Sequence, residues 1–134
     1  RKLLILARAA GVPLEADQIK VDSLVPEALA TLSADEVDGA LSLLDAPLAE
    51  QLQQVRAQGL KLCFVGRLDA QGASVGLRAL PQGHALAGGS GTDNRVAIHS
   101  DRYNSQPLLI QGPGAGAEVT AAALLDDVLN IVNR

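Results

Sequence analysis

The residues best suited to chemistry form the turn Gly112-Pro-Gly114-Ala-Gly116, which follows the apolar run Pro107-Leu-Leu-Ile110 and opens into Ala117-Glu118-Val-Thr120-Ala-Ala-Ala-Leu-Leu125. A strand, a glycine turn and a helix N-terminus in succession present backbone N–H groups that a phosphate, a carboxylate or a close-packed cofactor can accept. Glycines at 112, 114 and 116 also let the main chain approach a ligand or another domain with no Cβ in the way. Ala117 can stand for the last small residue of a G-x-G-x-x-G/A dinucleotide fingerprint. No second strand and no ribose-binding acid follows it, so the fingerprint is incomplete. By itself the turn reads first as a tight strand-to-helix connection and second as a cofactor contact. Glu118 in the first helical turn suits dipole stabilisation on either reading.

The other candidates are weaker on sequence alone. Lys2 is a general acid, a substrate-binding charge or a surface residue, and the surface reading leads. His84 and His99 stand singly, without His-x-x-x-His or carboxylate spacing. They read as polar loop and strand residues, and no metal site is expected. Cys63, the single cysteine, excludes an internal disulfide and a thiolate cluster. Its mid-strand position suits a buried small apolar residue. Asp126 and Asp127 lack a partner acid at useful spacing and read as solvated or salt-bridged.

Several elements must position these residues. Arg1-Lys-Leu-Leu-Ile-Leu-Ala-Arg8-Ala-Ala reads as a helix ended by Gly11 at the C′ position, with Val12-Pro13 opening a loop. Ile19 to Val25 reads as a short strand stopped by Pro26. Ser33-Ala-Asp-Glu36 has the spacing of a capping box ahead of Val37, Leu41 and Leu44. Asp45-Ala-Pro47 is expected to cap a further helix carrying Leu48, Leu52 and Val55, ended by Gly59. The polar residues between those positions form a solvated face. From Lys61 the apolar period shortens: Lys61–Leu68 and Ala73–Arg78 read as the arms of a hairpin turning at Asp69–Gly72. Arg95–Ser100 and Leu108–Ile110 read as two more strands, with a flexible tip at Gly88-Gly-Ser-Gly91 before them. The last helix is expected from Ala117 to Val132 and is apolar over much of its circumference. The expected fold is α+β, a mixed or largely antiparallel sheet covered by helices on one face.

Composition narrows the function classes. The 134 residues suffice for one domain or a large piece of one. Phe64 and Tyr103 are the only aromatic residues, which argues against base stacking on single-stranded nucleic acid. The net charge of −4, with scattered basic residues, argues against duplex binding. No run approaches the roughly 18 apolar residues of a membrane span, and no secretory signal is visible. A cytoplasmic location is the default. The chain holds no Met, and its first helix starts on two cations without an N-cap residue, so it is expected to be the back part of something larger.

Taken together, Arg1-Lys-Leu-Leu-Ile-Leu-Ala-Arg8, Asp17-Gln-Ile-Lys-Val-Asp-Ser-Leu-Val-Pro26, Asp93-Asn94, and Gly112-Pro-Gly-Ala-Gly116 with Val119-Thr120-Ala121 resemble homoserine dehydrogenase. The nearest likeness is to the C-terminal catalytic part of the bacterial bifunctional aspartate kinase–homoserine dehydrogenases, the methionine-linked type in particular. The resemblance runs the length of the chain, though Thr31 to Gln58 match only in length and helical character. It implies that residues 1–134 belong to the catalytic and dimerisation domain. Residues 112–134 would be the glycine turn and the helix that returns to, and docks on, a Rossmann domain upstream.

It further implies interconversion of L-aspartate 4-semialdehyde and L-homoserine with NADP or NAD, NADPH being favoured. The family's proton-donating lysine maps onto Lys2, and the glycines beside the nicotinamide cofactor map onto Gly114 and Gly116. An ammonium suits that role, because hydride addition places negative charge on the carbonyl oxygen. The partners implied are the upstream Rossmann domain, an aspartate kinase domain in the same parent chain, and a second subunit. The substrate-binding acids, the dinucleotide fingerprint and the cation site would lie upstream of Arg1, so residues 1–134 alone are expected to be inactive. Two other classes stand beside this reading: a non-catalytic module that binds a small amino acid, and a dimerisation domain whose glycine turn only packs on a neighbour. Against the first, the element order differs from the β-α-β-β-α-β of a ferredoxin-like regulatory domain.

Overall fold

The computed structural model describes residues 1–133. Two compact units divide the chain, one covering Arg1–Pro81 and the other starting at Gln82. The first holds α1 (Lys2–Ala9), β1 (Ile19–Val21), α2 (Glu27–Ala30), α3 (Ala34–Ala40), α4 (Asp45–Ala57), β2 (Leu60–Asp69) and β3 (Gly72–Pro81). The second holds β4 (Asp93–Ile98), β5 (Leu108–Pro113) and α5 (Ala117–Val132). The fold is α+β.

In the first unit the sheet order is β1-β3-β2. β2 and β3 form the expected antiparallel hairpin, Asp69 opposite Gly72, and β1 runs parallel to β3 with Ile19 opposite Ala73. The hairpin turn is fixed by Asp69, whose Oδ1 accepts the Gln71 N–H at 2.9 Å. Helix α1 lies on this sheet. Its Ala7 is fully buried with Leu14 and Ala73, and Leu3, Leu4, Ile19 and Leu68 pack around them. The helix ends in a Schellman motif: Gly11 N–H donates to Arg8 O at 3.0 Å and Val12 N–H to Ala7 O at 2.9 Å, with Gly11 at φ +79°.

Three local readings are corrected. The strand at Ile19 stops at Val21 and does not reach Val25. Ser23 Oγ accepts the Val25 N–H at 3.1 Å, a local turn that competes with strand pairing. A single helical turn, α2, follows Pro26 where sequence periodicity shows nothing. Asp45 opens α4 and does not cap it: a 3-10 segment over Leu41–Leu44 runs straight into the helix, so the chain never leaves helical geometry there. The capping box at α3 forms as expected, with Ser33 N–H and Oγ–H both donating to Glu36 Oε2, at 2.9 and 2.6 Å.

The strands form two sheets in place of one, because β4 and β5 pair only with each other. Their antiparallel register sets Val96 opposite Ile110 and Asn94 opposite Gly112. The segment before β4 is strapped onto this hairpin. Arg95 donates to Ala85 O at 2.7 Å, with its guanidinium against Gly88, and Asp93 Oδ2 accepts Gln111 Nε2 at 2.7 Å and the Ser90 N–H at 3.3 Å. Helical cover is partial, since every residue of α5 is exposed. Among the described residues no helix is long and apolar enough to cross a membrane.

Candidate functional site

The glycine turn stands in the second unit between β5 and α5, and its glycines are required for different reasons. At Gly116 the main chain has φ +130° and ψ 151°, a region closed to L-residues, while a Cβ built there would meet nothing within 4 Å. Gly114 has no positive φ. There the place of a Cβ is filled by the amide group of Asn94, with Asn94 Oδ1 3.2 Å from it. The Gly114 N–H donates to Thr92 O at 2.9 Å, so the turn is held by the 92–94 segment through main chain and side chain together. Thr120 N–H donates to Gly116 O at 3.0 Å, the first bond of α5. The N–H groups of Ala117, Glu118 and Val119 therefore have no intrahelical partner. Glu118 is the acid of this first turn and no side chain caps it. Open space over Gly116 and unpaired N–H groups form a surface that fits an electron-rich group of a cofactor.

Lys2 belongs to the first unit, at the first position of α1. Its side chain is exposed and, among the described residues, makes no hydrogen bond or ion pair. Leu3, Leu4 and Ala7 turn inward, which leaves Lys2 on the stripe that helical spacing shares with Ile5, Leu6 and Ala9. That stripe is apolar and uncovered, Ile5 being 66% and Leu6 49% exposed. The ammonium thus sits beside apolar surface with its hydrogen-bonding capacity unspent.

The two histidines make local main-chain contacts. His84 Nδ1 accepts the Leu86 N–H at 3.1 Å, and His99 Nδ1 lies 3.2 Å from Asn104 O. Cys63 is half-buried, not buried, opposite Arg78 on the hairpin. Asp126 and Asp127 are exposed on α5. Among the described residues no group of three or more His, Cys, Asp or Glu is placed to hold a metal ion. A cavity of about 270 Å³ beside the Asp22–Arg78 ion pair, with Ser23 and Gln51 on its wall, contains none of the predicted site residues. Asn94 is the residue that sequence reasoning passed over, quoting it only as part of a resemblance. Its link to Gly114 depends on the β4–β5 register, which no local pattern encodes.

The family model for homoserine dehydrogenase matches residues 1–129, from the Lys2 helix through the glycine turn and most of α5. The chain belongs to the homoserine dehydrogenase family. It is 45% identical over 136 residues to the chloroplastic bifunctional aspartokinase/homoserine dehydrogenase 2 of Zea mays, covering 99% of this chain and 15% of that protein. To the bifunctional aspartokinase/homoserine dehydrogenase 2 of Escherichia coli it is 43% identical over 129 residues, 96% of this chain and 16% of the relative. A homoserine dehydrogenase from Paracoccidioides brasiliensis is 37% identical, aligned with 100% of this chain and 37% of its own length. The crystal structure of a Candida auris protein described as of unknown function superposes with a TM-score of 0.81 at 39% identity, over 99% of this chain and 38% of that one. The chain thus spans well under half the length of each homoserine dehydrogenase relative named here.

Proposed function

We propose that residues 1–134 are the C-terminal part of the catalytic and dimerisation domain of a homoserine dehydrogenase that interconverts L-aspartate 4-semialdehyde and L-homoserine in amino-acid biosynthesis. The observation that carries this reading is the continuous family match across the Lys2 helix and the glycine turn. When bound, a nicotinamide cofactor, NADPH ahead of NADH, supplies or takes up the hydride. Gly116 would bring bare main chain to it, Gly114 would hold the turn there against Asn94, and the N-terminus of α5 would offer its unpaired N–H groups. Lys2 Nζ donates a hydrogen bond to the semialdehyde carbonyl oxygen and passes its proton across as negative charge builds there. In the reverse direction the lysine takes the proton back from the homoserine hydroxyl.

An upstream Rossmann domain would cover the exposed apolar surface of α5. The remainder of the assignment is a cytoplasmic homo-oligomer of the methionine-linked bifunctional type, with an aspartate kinase domain in the same parent chain. It rests on the sequence resemblance and on the bifunctional names of the relatives.

The test is homoserine-dependent reduction of NADP⁺ and NAD⁺ by the longer parent protein, wild type against Lys2→Ala. Wild-type turnover with a loss of about 10²-fold or more in the variant is the expected result, the scale of a general acid. No turnover by a folded wild type would return the chain to the binding-module reading.

A further inference from the structure

We propose that Asn94 is a positioning residue for the glycine turn: its amide, seated in the space that a Cβ on residue 114 would need, sets where Gly116 and the first turn of α5 stand. Its effect on cofactor binding rests on the proposed function above.

Conformation does not demand glycine at 114, since the backbone there has no positive φ. Space does, because the Asn94 amide occupies the Cβ position. The main chain of Asn94 is a firm platform, while its side chain is exposed and makes no hydrogen bond among the described residues, so an alanine at 114 has to push that amide off the turn. Asn94 is paired with Gly112 across the β4–β5 ladder, and each sequence neighbour is pinned: Asp93 by Gln111 at 2.7 Å and Arg95 by Ala85 O at 2.7 Å. Main chain from the same segment grips the turn as well, through Gly114 N–H to Thr92 O at 2.9 Å. Only Ala115 separates this clamp from Gly116, so a displacement at 114 passes directly into the start of α5. Within this unit every residue of α5 is exposed, so the turn is the firmest tie on its N-terminus among the described residues. What places the helix N-terminus in this unit is therefore the seat under Gly114.

The experiment is a double-mutant cycle in the longer parent protein with Asn94→Ala, Gly114→Ala and the pair together. Gly114→Ala drives a methyl into the Asn94 amide, and Asn94→Ala leaves the turn unsupported. Each should raise the KM for the nicotinamide cofactor by about tenfold, equivalent to about 1.4 kcal/mol. Neither should change the KM for homoserine, a split that general loss of structure would not produce. In the pair, the new methyl takes the space the amide vacated, so cofactor KM and melting temperature should recover from the Gly114→Ala values. A harmless Gly114→Ala, or a pair as damaged as the product of its singles, overturns the proposal. Should Gly114→Ala fail to fold, recovery of folding in the pair reports the same contact. Recovery seen in melting temperature but in no kinetic constant would keep Asn94 as the seat of the turn and reject the cofactor-side reading.

Discussion

Replacing Lys2 with alanine should leave the stability of the fold unchanged while removing most of the activity of the longer parent protein. Lys2 is an exposed residue of α1. Lysine and alanine differ little in helix propensity, and Lys2 has no partner among the described residues to lose. The sum is a change within about 0.5 kcal/mol, the range of ordinary surface substitutions. Activity should move the other way, by about 10²–10⁴-fold, or about 2.7–5.4 kcal/mol of barrier. Lys2→Arg keeps the charge but not a releasable proton, so it should retain substrate binding and lose kcat. Denaturant unfolding, beside initial rates of homoserine oxidation, measures both quantities. A loss of stability beyond about 1 kcal/mol would mean that Lys2 has a structural partner, since the exposed position allows no such cost. Activity within about threefold of wild type would end its role as proton donor, because a general acid contributes at least about 10²-fold.

The first unit makes a packing prediction. A Cβ on Gly76 would stand 2.6 Å from Asp22 Cβ and 3.0 Å from an Arg78 guanidinium nitrogen. Gly76→Ala should therefore cost about 1–3 kcal/mol in denaturant unfolding, as overpacking does. Little of this comes from the Asp22–Arg78 pair, which is too exposed to contribute much, and a change below about 0.5 kcal/mol, the range of ordinary surface substitutions, would show that the strands yield freely. Acid sensitivity should come partly from two surface carboxylates. The Ser33 hydroxyl and then its N–H hold Glu36 below its ordinary range. The Gln71 N–H first, with Arg67 and the Gly72 N–H assisting against desolvation, does the same for Asp69. A lowered folded value means stability that is whole above the unfolded carboxylate value of about 4 and drains as pH falls through the folded one. Ser33→Ala should shrink this acid loss in a melting series, and an unchanged acid limb would remove Glu36 from the account. Residues 1–134 alone should show no NADPH-dependent turnover in a direct assay; measurable turnover would contradict the need for an upstream domain.

Legibility in the sequence followed the range of the interactions. Helix α5 matches its expected span, Ala117–Val132, because a glycine turn gives way to a continuous helical run. The β2–β3 hairpin was visible for a similar reason: the apolar period changes at Lys61, and Asp69 and Gly72 are turn residues. The box at Ser33 and Glu36 is local as well, three residues apart. Interactions that needed a competitor or a distant partner were hidden. The Ser23 hydroxyl ends β1 by taking the Val25 N–H, and α2 is too short to show a period. The split into two sheets depends on which strands meet, and hydrophobic pattern alone leaves that open.

The glycine motif shows where this limit falls at the site itself. On paper Gly112, Gly114 and Gly116 look equivalent, three bare positions in one turn. Gly116 needs glycine for its dihedral angle and has open space around it. Gly114 needs it because a side chain from β4 already occupies the space. Gly112 has neither a positive φ nor a neighbour within 4 Å of its absent Cβ. A motif of three glycines thus contains one conformational requirement, one packing requirement and one position free of both. The packing requirement belongs as much to Asn94 as to the turn. For that reason a residue 20 positions upstream in the chain is as much a part of the turn as the glycines that announce it.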